Sequence, residues 1–246
     1  MINFIQTEFL KLKNSKLFIF SLLSGLVPPF LMYVGVLEMQ AEHPDFILHF
    51  SQMFVETHVY MAGLFAVFLL CVIISYLIGR EYTEHTLKLV LTSPVSNFKY
   101  LTGKYIVFII WTLMLFSVTF IGTIIFGYLG GGVGLTLTMA LKYYGMMLFG
   151  GFLLTLVMTP FIFLSMIMKN IVPSMIVGSI LVLANIFSYG CPWGPYFPWM
   201  ACYIISSNTI ADYSCTLLTP IAIVLITFII GALISYGYFK IKDVSL

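Results

Sequence analysis

The 246-residue chain is 61% hydrophobic and only 8% charged, against ~25% charged residues in soluble domains, which excludes a water-soluble fold that covers its surface with charge. A formal net charge of +2 likewise excludes a strongly basic nucleic-acid binder. The apolar stretches recur along the whole length, so a single all-α transmembrane domain, residues 1–246, organised by the bilayer is expected.

Residues 1–16 carry Ile2, Ile5, Phe9 and Leu12 at helical spacing, with Asn3, Gln6, Lys13 and Asn14 elsewhere. This is the pattern of an amphipathic helix lying in the membrane interface. The alternative, that these residues simply extend the first span, is opposed by Glu8 and Lys11, which are poor mid-bilayer residues. The basic residues precede a full-length span with no small-residue cleavage site, so the N-terminus reads as an uncleaved first span rather than a signal peptide.

A bilayer core of roughly 30 Å needs about 20 helical residues. Six stretches meet this requirement, at 17–37, 57–79, 105–128, 144–168, 171–189 and 217–239. Pro28 and Pro29 in the first and Pro160 in the fourth each remove a backbone donor, so kinks are expected there. Only Met168, Lys169 and Asn170 separate the fourth stretch from the fifth, which predicts a tight hairpin of neighbouring helices with Pro173 near the start of the second.

Lys11, Lys13, Lys16, Arg80, Lys88, Lys99, Lys104, Lys169, Lys240 and Lys242 all fall in alternate connections. The opposite connections hold only Lys142, and the first of them collects Glu38, Glu42, Asp45 and Glu56. The positive-inside rule therefore places both termini in the cytoplasm. Cys71 falls inside an apolar stretch and reads as a small buried thiol, whereas Cys191, Cys202 and Cys215 share one outer segment in which two have the opportunity to pair.

The longest cytoplasmic connection, 80–104, is too polar to insert. Read as a helix, its first part sets Tyr82, His85 and Leu89 along one face and Glu81, Glu84 and Lys88 along another, with Glu84 and Lys88 in favourable i,i+4 order. A solvated turn that returns the chain to the bilayer is the plain alternative. The segment resembles the corresponding part of ABC-2 type exporter permeases, where an acidic residue, a threonine and a following proline lie between the second and third spans; here these are Glu81, Thr86 and Pro94. The amphipathic N-terminal helix, the six spans and a hydrophobic outer segment before the last span resemble the same family. Within it the chain is most similar to the small permeases of peptide-antibiotic resistance and immunity, those for bacitracin above all.

That resemblance implies an export permease in the bacterial cell membrane, working as two copies with two ATPase subunits that hold ATP and magnesium, and moving an amphiphilic peptide out of membrane lipid. It also implies that Glu81, Tyr82, Thr83, Glu84, His85, Thr86, Lys88 and Pro94 couple the permease to the ATPase. The residues themselves carry no nucleotide site: there is no Gly-x-x-x-x-Gly-Lys-Ser/Thr loop, and Gly130–Gly134 lacks a following lysine. Ser174 with Gly178, and Gly231 with Ser235, offer small-xxx-small faces that serve equally for a dimer seam or for packing within one subunit.

The outer segment 190–216 is rich in aromatics and prolines with hardly any charge. Trp193 and Trp199 suit either anchorage at the headgroup level or a lid over a hydrophobic substrate. Glu56 and His58 lie at the outer mouth of the second span, where acid attracts a cationic peptide, and Asn185, Ser179, Thr155 and Thr159 are candidates to line a pathway unless they bond back to their own helices. No His-Glu-x-x-His pattern and no paired carboxylates occur within a span, so a metal or catalytic centre is not expected. A membrane enzyme acting on isoprenoid pyrophosphate, and a protein that shields or senses a lipid target without transport, remain the rival readings.

Overall fold

A computed structural model describes residues 2–13, 15–83 and 97–243. Within them the chain is helical apart from short connections. Helix α1 (Ile2–Lys13) is followed after one turn by α2 (Lys16–Ser24) and α3 (Val27–Glu42), which together form a first apolar span, Lys16–Glu42. The break between α2 and α3 falls at Gly25 and Leu26 rather than at the two prolines. A proline ring collides with the carbonyl four residues back, here those of Ser24 and Gly25, so α2 cannot continue. Pro28 and Pro29 themselves sit in the first turn of α3, where a missing N–H leaves no bond unmade. Gly25 also lets this break approach the next layer: a β-carbon there would stand 3.0 Å from the Leu115 side chain and 3.1 Å from its carbonyl oxygen.

The second span is a long rod made of α4 (Phe50–Tyr60), a π-helical turn (Met61–Phe65) and α5 (Ala66–Thr83). It begins seven residues before position 57 and is the most buried span of the six, which its uniform apolarity requires. α6 (Asn97–Leu129) starts well ahead of position 105. The stretch 144–168, expected as one span, is two helices, α7 (Leu137–Val157) and α8 (Thr159–Met168), separated at Met158 just before Pro160; only α7 has the length to cross a membrane. Lys169, with φ at 51°, closes the turn, and Asn170 Oδ1 accepts from Val172 N at 3.1 Å to open α9 (Ile171–Ser188). After the short helix α10 (Pro198–Ser207), α11 (Leu218–Asp243) forms the last span.

The rod α4–α5 occupies the centre, with Leu70, Ile73 and Ile74 fully buried and α6, α7, α8 and α9 around it. Hydroxyls join the helices: Trp111 Nε1 donates to Ser21 Oγ at 2.9 Å, Ser165 Oγ to Ser75 Oγ at 2.9 Å, and Thr159 Oγ1 to the Phe228 carbonyl at 3.2 Å. Both small-residue faces pack within the subunit. A β-carbon at Gly178 would lie 3.0 Å from Cys71 Cβ, and one at Gly231 would lie 2.4 Å from Thr159 Oγ1, while Ser235 Oγ donates to the Thr159 carbonyl. All four cysteines are free, Cys71 and Cys202 being buried.

Candidate functional site

The end of the bundle that bears the lysines holds a cluster of buried charges. On α1, Glu8, Lys11 and Leu12 share one face, and Glu8 and Leu12 are turned inward against the bundle. The last turns of α5 bring Leu77, Arg80 and Glu81, and the first turns of α6 bring Tyr100 and Lys104 on one face. Lys104 is only 3% exposed; its Nζ donates to Glu8 Oε2 at 2.8 Å and to the Leu77 carbonyl at 3.0 Å, and Glu81 Oε1 stands 2.7 Å away as an ion-pair partner. Tyr100 Oη donates to Glu81 Oε2, and its ring stacks on Phe239 of α11 at 5.4 Å. Lys11 lies 2.7 Å from Glu8, and Arg80 donates to the Lys11 carbonyl at 3.2 Å.

Burying ions is costly unless each is paired and hydrogen-bonded. Here two carboxylates face two ammonium groups across three helices. Burial alone would push the Glu8 carboxyl up, but the charge and hydrogen bond of Lys104, with Lys11 beyond, outweigh it and hold the carboxyl below its ordinary range. These contacts tie α1, α5 and α6 together close to the two ends of connection 84–96.

A second feature is an apolar recess of about 570 Å³ between the α2–α3 break, the central rod and α9. Val27, Phe65, Phe68 and Leu183 supply its walls, with Ser24 and Ser179 as hydroxyls. It has the size and apolar character of a small-molecule site.

The opposite end is held by neutral contacts. His49 and Val133 form an isolated β-bridge joining the first two connections at that end, and Gln40 donates to the Gly130 carbonyl at 3.0 Å. His58 is fully buried; its Nε2 lies 2.8 Å from Ser206 Oγ of α10, its ring faces Tyr203 at 5.7 Å, and its Nδ1 has no partner among the described residues. Gly150 of α7 makes room for it, since a β-carbon there would stand 2.7 Å from His58 Cε1.

Of the residues expected to couple to an ATPase, Glu81 is buried in the charge cluster, and Tyr82 and Thr83 continue the helix α5. Glu84, His85, Thr86, Lys88 and Pro94 lie outside the described residues, as does the helical reading of that segment. Of the pathway candidates, Glu56 is half-buried on α4 and Trp193 is half-exposed. Trp199 is buried beside Phe161 and Phe197. Asn185 Nδ2 donates to the Gly63 carbonyl at 2.7 Å, satisfying a backbone group inside the π-turn, where the helical ladder is disturbed. Neither these four nor His58 lines the recess, whereas Ser179 does. Thr155 bonds back to the Phe152 carbonyl.

Sequence reasoning missed Glu8, Tyr100 and Lys104 as one unit. The signal available was a carboxylate and a lysine three residues apart on the apolar side of an amphipathic helix, where no charge belongs unless it meets a partner.

The model of the ABC-2 family transporter protein matches residues 4–185. A relative, the bacitracin transport permease protein BCRB of Bacillus licheniformis, is 36% identical over 170 residues, covering 69% of this chain and 82% of that protein. With its six candidate membrane spans and no ATPase domain, the all-helical chain belongs to the ABC-2 family of transporter permeases, whose membrane subunits work with a separate ATPase subunit.

Proposed function

We propose that the chain is the membrane half of an ATP-driven exporter that removes an amphiphilic peptide antibiotic, bacitracin foremost, from the bacterial cell membrane. Both termini lie in the cytoplasm, two copies pair, and two ATPase subunits bind ATP and magnesium. The observation that carries this reading is the ion-paired junction of α1, α5 and α6 at the two ends of segment 84–96. A force applied to that segment by an ATPase passes into three helices at once. Glu81 acts in this scheme as a positioning residue, its carboxylate holding α5 to Lys104, while Tyr82, Thr83, Glu84, His85, Thr86, Lys88 and Pro94 form the contact with the ATPase. The recess beside α9 supplies an apolar surface reached from the membrane for the lipid-bound substrate. Glu56, His58, Asn185, Trp193 and Trp199 belong to the outward half of that pathway.

The test is affinity purification of the tagged chain in mild detergent. An ATPase subunit is expected to co-purify, and bacitracin is expected to change its hydrolysis rate. A chain that purifies alone and releases phosphate from an isoprenoid pyrophosphate would replace this reading with an enzymatic one. Resistance that survives with a hydrolysis-deficient ATPase would replace it with shielding.

A further inference from the structure

The acidic end carries a pocket of about 200 Å³ lined by Tyr189, Gly190, Tyr203, Thr209, Asp212 and Tyr213. We infer that it is a binding site for an alkylammonium group, held by three tyrosine rings and the Asp212 carboxylate.

Its walls are built from the segment between α9 and α11. Gly190, at φ +71°, turns the chain sharply after α9 and exposes its backbone to Tyr213, which hydrogen-bonds to it. Tyr189 and Tyr203 meet with ring centroids 6.0 Å apart. Gly194 leaves space for the third ring, because a β-carbon there would lie 3.3 Å from Tyr213 Cε1 and 2.7 Å from the Ser188 carbonyl oxygen. Tyr203 is anchored in the core, whereas Tyr189 and Asp212 are open to the surface, so the cage has a fixed floor and an accessible mouth.

Asp212 is the one charged side chain among the lining residues, and no Lys or Arg is among them. Tyrosine faces attract a cation through their quadrupole, and the attraction grows when the cation is partly desolvated. The volume admits an ammonium head on a short alkyl stem. A single carboxylate tip with phenol and Thr209 hydroxyls around it suits the three donors of a compact ammonium.

The experiment is saturation-transfer NMR on the purified full chain, titrated with n-butylammonium chloride at constant ionic strength and with n-butanol as the neutral control. Saturable binding of butylammonium and none of butanol is expected. Asp212→Asn weakens it about two- to fivefold, as for a lost exposed ion pair; Tyr213→Leu weakens it about two- to fivefold, while Tyr213→Phe, which keeps the ring, leaves it within twofold. Repeating the titration in phosphatidylglycerol discs with and without phosphatidylethanolamine separates two sources of the ammonium: competition assigns the site to a lipid headgroup, and its absence to a soluble or peptide amine, both supporting the inference. No saturable binding, or equal binding by wild type and Asp212→Asn, overturns it. Because no ATPase is present, failure here leaves the export reading untouched.

Discussion

The two ends of this bundle are sealed by opposite chemistry. At the lysine-rich end, Glu8, Glu81, Lys11 and Lys104 bury full charges in a network spanning three helices. At the acidic end, His58, Ser206 and Tyr203 join α4 to α10 through one neutral hydrogen bond and ring contact. The difference is one of stakes. A buried ion pair adds little over an apolar packing of the same shape but fails badly when one partner is lost, whereas a neutral hydrogen bond changes stability modestly either way. The contact at the lysine-rich end is therefore all-or-none when one partner is lost, whereas the His58–Ser206 contact at the acidic end is not.

The largest effect that tests this contrast is Lys104→Met. It leaves the Glu8 and Glu81 carboxylates facing each other without the cation between them, and a loss of about 3–5 kcal/mol is expected. Thermal unfolding in detergent measures it. The pH dependence sharpens the assignment. The Glu8 carboxyl is depressed in the folded chain, so its stabilisation is present above the unfolded carboxyl's pKa and fades as pH falls through the lower folded value. In Lys104→Met the larger depressing charge is gone and only Lys11 is left to oppose burial, so the acid limb of the stability curve is expected to move to higher pH. An unchanged limb would mean that Lys104 does not set the charge of Glu8.

Much of this was legible beforehand, for reasons that also explain what was not. The bilayer demands long apolar helices, so six spans follow from composition, and the lysine asymmetry marks the two ends. Helix ends were less legible. α4 and α6 run seven and eight residues beyond the apolar windows at 57 and 105, because polar residues such as Gln52 and Lys99 remain helical outside the hydrocarbon. The break at Gly25 was displaced from Pro28 and Pro29 because a proline disrupts the turn before itself. Asn185 was legible as a polar group in a span, but the π-turn carbonyl to which it donates was not. Glu8 and Lys104 are 96 residues apart and meet only through tertiary packing.

An intermediate effect is expected from Gly150→Ala at the acidic end. The added carbon would stand 2.7 Å from His58 Cε1 and 3.0 Å from Ser206 Oγ, so the ring or α10 must shift. Overpacking of this kind costs about 1–3 kcal/mol. If α10 is the movable element, limited proteolysis in the segment after it should quicken, while cleavage near α1 stays unchanged. Equal acceleration at both ends would remove the distinction between them.

An effect no larger than this is expected from Ser206→Ala. It takes away the single hydrogen bond of His58, whose other ring nitrogen already lacks a partner. For two ionised groups this would be severe. For a neutral imidazole the cost is about 1–3 kcal/mol, that of leaving one buried ring nitrogen unpaired. The Tyr203 ring and the space at Gly150 continue to hold the imidazole in place. A loss comparable to that of Lys104→Met would remove the contrast between the two ends.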